Sequence, residues 1–132
     1  MSKRIHCRIE TNIILPEKID FLGVYFDNEG YRVRVSEYSV PNPATFEVKF
    51  GGRIWAQRSM DEGFFLATSW VLNETEGPVG PVALVKNSDF LTWFHKESCG
   101  IYADNSIMHI VISTQNEWVE VLCSELPSIE RC

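Results

Sequence analysis

No run of apolar residues in this sequence comes near the roughly 20 that a membrane-crossing helix requires, so no transmembrane segment is expected. The basic opening stretch, MSKRIHCRIETN, alternates polar and apolar residues and has no apolar block of the kind that directs secretion. A cytoplasmic location is the expectation. Cysteine is sparse and scattered, at Cys7, Cys99, Cys123 and Cys132, with no C-x-x-C pair to begin a zinc site or a redox motif. Cytosolic thiols stay reduced, so no disulfide framework is expected, and the Asn73-Glu74-Thr75 sequon meets no glycosylation machinery.

Catalytic signatures are missing as well. Neither G-x-S-x-G, nor a P-loop, nor G-x-G-x-x-G occurs, and no serine or cysteine sits in a nucleophile motif. Cations are short in one half of the chain. Residues 1–66 carry nine Lys/Arg and nine Asp/Glu, whereas residues 67–132 carry three and nine, so the whole net charge of −6 (3 − 9) arises in the second half. Phosphate recognition calls for clustered cations, which makes nucleic acid an unsuitable partner. An acidic surface instead suits a basic partner protein and speeds their encounter, although it also serves plain solubility.

What remains is an ordinary globular composition, 45% apolar and 23% charged, at a length that suits one domain with one core. In the first half, Ile5, Cys7 and Ile9 alternate with His6, Arg8 and Glu10, the pattern of a half-buried strand. Phe21–Phe26 and Tyr31–Tyr38 flank Asp27-Asn28-Glu29-Gly30, whose glycine can take the positive φ that closes a β-hairpin. VPNPAT reads as a loop because Pro41 and Pro43 remove backbone donors. Phe46, Val48 and Phe50 then face inward along another strand, before Gly51-Gly52 turns the chain into Arg53–Gln57. Residues 59–73 read two ways. Ser59-Met60-Asp61-Glu62 fits a capping box, while FFLATSWVL suits a buried strand, and the strand from Phe64 to Leu72 is the preferred reading. NETEGPVGP follows as a surface loop.

The last third is the most regular. Ser88 is placed to cap a helix over residues 88–98, with Asp89 at the positive end of its dipole, Phe90, Leu91 and Phe94 on its apolar face and Gly100 at its end. Ile107, His109 and Val111 alternate with Met108, Ile110 and Ile112, so both faces are apolar and a central strand is expected. Thr114–Glu117 turns into a second strand, Trp118–Cys123. The fold class implied is α+β, a mostly antiparallel sheet with one main helix packed on it, in a single domain covering residues 1–132.

Few residues carry candidate chemistry. His109, set among apolar neighbours, is expected to be a hydrogen-bonded core histidine; the alternative is a small enzyme or ligand-binding domain in which it lines a pocket as a base. His95 and Cys99, four apart, make half of a zinc site at most, so no metal or cofactor is expected. Asp27 and Glu29 read as solvated turn acids. Arg32, Arg34, Arg53 and Arg58 would form a basic stripe if their strands adjoined, with acids nearby to neutralise it. Of Trp55, Trp70, Trp93 and Trp118, any one left exposed would be a candidate anchor for a partner protein.

Two segments together resemble a known arrangement. VYFDNEGYRVRVSEY, followed by LVKNSDFLTWF, IMHIVIST and WVEVLCSELP, places a serine-led helix, a histidine-containing strand, a short turn, an apolar strand and a final Glu-x-Pro in that order. This is similar to small bacterial immunity proteins, which are encoded beside polymorphic or contact-dependent toxins and neutralise a toxin domain in the cytosol. One departure is that His109-Ile110 stands where the arrangement has a His-Tyr pair. The resemblance implies stoichiometric binding without turnover. The partner it implies is a cognate protein toxin, basic where it must bind phosphate as a nuclease does. On that reading the acid-rich half supplies the contacts, with Glu74, Glu76, Asp89, Glu97, Asp104, Glu117 and Glu120 as candidates.

Overall fold

A computed structural model describes residues 4–61 and 80–132. The described chain forms nine strands and one helix: β1 Ile5–Arg8, β2 Ile19–Asp27, β3 Gly30–Glu37, β4 Thr45–Phe50, β5 Ile54–Asp61, β6 Val82–Lys86, α1 Asp89–Glu97, β7 Met108–Ser113, β8 Glu117–Cys123 and β9 Ser128–Arg131. The α+β class expected from the sequence is the class observed. The strands make two sheets, a five-stranded one in the order β1-β6-β7-β8-β5 and a four-stranded one in the order β2-β3-β4-β9. Every pairing in both is antiparallel.

Alternation along the strands decides what lies between the sheets. Ile110, Ile112, Val119, Val121 and Cys123 of the five-stranded sheet meet Ile19, Val33, Val35, Val48 and Ile129 of the other in one buried cluster. Tyr31 is also buried there, and its hydroxyl donates to Gln57 Oε1 at 3.2 Å, tying β3 to β5 across the layers. Burying each such aliphatic side chain contributes roughly 1.5–3 kcal/mol, so this cluster is the main source of stability. The β2–β3 hairpin closes as its sequence predicts. Gly30 has φ +100°, and Asp27 accepts from the backbone N–H of Glu29 at 2.9 Å while pairing with Arg32 at 2.8 Å.

The five-stranded sheet has a second covered face. Its residues His109, Val111, Trp118, Glu120 and Leu122 alternate with the core residues above and are buried too. Helix α1 packs there through Phe90, whose ring meets that of His109 edge-on at 5.5 Å. The expectation for β7 therefore holds: two apolar faces mark an interior strand, flanked by β6 and β8.

One alternative is ruled out and one local expectation is revised. Ser59, Met60 and Asp61 do not cap a helix. They continue β5, paired with Val119, Trp118 and Glu117 of β8, because cross-strand pairing satisfies their backbone where a capped turn would leave the β8 edge open. The strand proposed for Phe64–Leu72 and most of the loop after it lie outside the described residues. In β1 the alternation is only partly kept: His6 is covered beside the Trp118 ring at 5.8 Å and Ile5 is 39% exposed, while Cys7 is half-buried and Arg8 exposed. An edge strand packs only part of one face against the core, and here the helix-side layer reaches further than the alternation suggested.

Candidate functional site

The structure collects the chain's ionisable interior around one carboxylate. Glu120 sits in the middle of β8, on the helix side, with no solvent exposure. Its register places it opposite Arg58 on β5 and opposite Val111 on β7, two residues along from His109 and on the same face. Three donors converge on it. Arg4 Nη2 and His109 Nε2 each lie 2.7 Å from Oε1, and Arg58 Nε lies 3.0 Å from Oε2.

Burial by itself would raise the Glu120 pKa. The hydrogen bond from His109 and the charges of Arg4 and Arg58 outweigh that and bring it down to about 2. An ionised Glu120 only accepts, so His109 Nε2 carries the proton and Nδ1 is left as an acceptor. Ser88 Oγ, 2.6 Å from that Nδ1, donates to it while accepting the Leu91 backbone N–H at 2.9 Å. The serine that caps α1 is thus also the serine that binds the sheet histidine. Burial is the main cause that keeps the His109 pKa below its ordinary value, with the two arginines assisting and Glu120 opposing. The result is a neutral imidazole bridging a hydroxyl and a carboxylate.

Arg4 extends the array. Its Nε donates to His6 Nε2 at 3.1 Å, and its Nη1 lies 3.7 Å from Asp89 Oδ1 at the start of α1. Burial, then Arg4, lowers the His6 pKa to about 4. Arg58 also covers the face of Phe90, with its guanidinium carbon 4.1 Å from the ring centroid. The N-terminal end of α1 is therefore held by the Asp89–Arg4 ion pair just ahead of β1, by the Ser88–His109 hydrogen bond to β7, and by the contacts of Phe90 with Arg58 of β5 and His109 of β7. In chemical terms the interior of the array is saturated: both Glu120 oxygens and both His109 nitrogens have protein partners. Among the described residues two hollows stand out, the second bordered by Ser88 and Asp89 of the array itself. One of about 460 Å³ is lined by Ile9, Ile14, Leu15, Val82 and Ile129 among others, and one of about 360 Å³ by Asn87, Ser88, Asp89 and Thr92. Neither is lined by His109.

The seven acids proposed as contacts separate. Asp89, Glu97 and Asp104 are exposed along α1 and the loop after it, and Glu117 is half-buried. Glu120 is an interior ion-paired residue and offers no surface, because three donors hold it where solvent does not reach. Glu74 and Glu76 lie outside the described residues, as does Trp70. Among the other tryptophans, Trp118 is buried, Trp55 lies under Arg53 at 5.3 Å, and Trp93 is 52% exposed on the outer side of α1.

The half-site His95 and Cys99 gains no companions. The described residues hold no group of three or more His, Cys, Asp or Glu able to bind a metal. The basic stripe does not form, because β3 and β5 belong to different sheets. Arg32 pairs with Asp27, Arg34 with Glu47 and Arg58 with Glu120, while Arg53 lies over Trp55 and Tyr102. No family model, curated protein or solved structure matches this chain.

Proposed function

We propose that this chain is an immunity-like binding protein, neutralising a cognate toxin domain by stoichiometric contact through an acidic face. The observation that supports this reading most directly is the division of its acids. One carboxylate is locked in the interior, while Asp89, Glu97 and Asp104 stand exposed along α1 and the loop that follows it. A helix pinned to the sheet at its N-terminal end presents those charges on a rigid element, which limits the conformational entropy lost on binding. Such a face suits a basic partner and raises the rate of encounter.

The competing reading is a small enzyme or ligand-binding domain with His109 in a pocket. It has less support, because His109 is 1% exposed and its two ring nitrogens are already bonded to Ser88 and Glu120.

The deciding experiment co-expresses the chain with the toxin domain encoded next to it. A one-to-one complex in calorimetry, together with survival of cells making the toxin, is the expected result. Absence of both overturns the proposal.

A further inference from the structure

Trp93 lies one helical turn from Asp89 on one side and one turn from Glu97 on the other, so an indole ring sits between two exposed carboxylates on one stripe of α1. Its ring is held from below. Phe90, 4% exposed, stacks on it at 5.8 Å with 27° between the planes, and Arg58 covers Phe90 from the sheet side. Elsewhere the chain repeatedly pairs aromatic rings with guanidinium groups: Arg32 and Arg34 flank Tyr25, and Arg53 lies over both Trp55 and Tyr102. Among the described residues no guanidinium covers Trp93. Lys96, the nearby cation, sits in the last turn, where helix carbonyl oxygens favour it.

We propose that Trp93 is the anchor of the acidic face and seats an arginine side chain of the partner, the guanidinium lying on the indole and bonding Glu97, or the one Asp89 oxygen that Arg4 and the Phe90 N–H do not engage. This rests on the binding reading above and names the group that would be recognised. Guanidinium fits better than ammonium because it is planar, stacks on aromatic faces and bonds carboxylates in pairs. The ring is fixed by Phe90 and half its surface is bare, so a partner can cover and desolvate it, as tryptophan anchors are in interfaces.

The test uses the whole chain and a short peptide of alternating arginine and glycine, with its citrulline counterpart as the neutral control. Titrated by NMR, the arginine peptide is expected to shift the Trp93 indole N–H, identified by its loss in W93F, and the citrulline peptide is not. W93L should weaken the arginine peptide about two- to fivefold, and D89N/E97Q should remove most of the salt dependence. Equal shifts from both peptides, or arginine-peptide shifts confined to other residues, overturn the proposal. Binding at Trp93 without complex formation by the neighbouring toxin domain would fault the immunity reading alone. A toxin complex unaffected by W93L would fault this inference alone.

Discussion

His109 and Glu120 meet on the helix side of the five-stranded sheet, Nε2 to Oε1 at 2.7 Å, with neither side chain exposed. Replacing one member of a buried ionic group costs more than the group contributes in sum, because the remaining charges lose their partner. Glu120→Gln keeps the shape and removes the charge facing Arg4 and Arg58. It is expected to destabilise the fold by about 3–5 kcal/mol, measured as a lowered urea midpoint at unchanged slope. A loss no larger than that of an ordinary surface change, within about 0.5 kcal/mol, would show that the cluster does not hold the sheet and helix together.

Acid should weaken the fold in two overlapping stages. His6, at about 4 when folded against 6.5 ordinarily, and His109, also lowered, are neutral bases that the unfolded chain protonates first. Their contribution is full above pH 6.5 and is lost as the pH falls towards their folded values. Glu120 is lowered from 4.5 to about 2, so its contribution is present above 4.5 and lost on the way down to about 2. Both effects have the same sign. Urea midpoints measured from pH 8 to pH 3 should fall steadily below pH 6.5, and His6→Gln should flatten the upper part of that decline. A midpoint unchanged between pH 7 and pH 5 would contradict the neutral assignment of both histidines.

Ser88→Ala removes two bonds with one oxygen. The cap on Leu91 N–H is worth about 1 kcal/mol. The bared Nδ1 of His109 adds a buried unsatisfied acceptor, at about 1–3 kcal/mol. The sum, about 2–4 kcal/mol, exceeds what an exposed cap would cost. Ser88→Thr retains the hydroxyl and should recover most of it. Chemical unfolding of both variants gives the comparison, and equal losses for the two would remove the hydroxyl from the account.

The elements were easier to read from the sequence than the cluster they build. Alternation in Met108–Ile112 and the turn at Gly30 are local patterns, and both led to the observed strands and hairpin. Ser88 was legible as a cap for the same reason, since its bond to Leu91 spans three residues. Glu120 was not legible as an interior residue. Its arginine partners are 116 and 62 residues away, and a carboxylate in WVEVLCS alternates with apolar neighbours just as a solvent-facing one would. The missing signal was the extent of β5. Only when that strand runs on past Gln57 does Arg58 fall opposite Glu120. The same limit applies to the tryptophans: composition counts four, and only packing separates bare Trp93 from buried Trp118.

Folding and binding should therefore respond to different residues. Glu97 lies on the solvent side of α1, and its substitution is expected to shift stability by no more than about 0.5 kcal/mol. Asp89→Asn also loses the pairing with Arg4, and Trp93→Ala the stacking on Phe90, about 0.5–1.5 kcal/mol. Trp93→Ala should nevertheless weaken a toxin complex by about 2 kcal/mol or more, the size typical of a central aromatic anchor. Asp89→Asn with Glu97→Gln should act mainly on the association rate, with the difference from the parent chain shrinking as salt rises. Glu120→Gln should behave in the opposite way. It should reduce protection of cells only in proportion to the fraction unfolded, and protein assayed well below its melting temperature should bind with nearly the parent rate. Stopped-flow association beside thermal melts of the same variants separates the two classes. If Trp93→Ala and Glu120→Gln lower binding and melting temperature in the same ratio, α1 contributes to the fold and its outer face is not the contact surface.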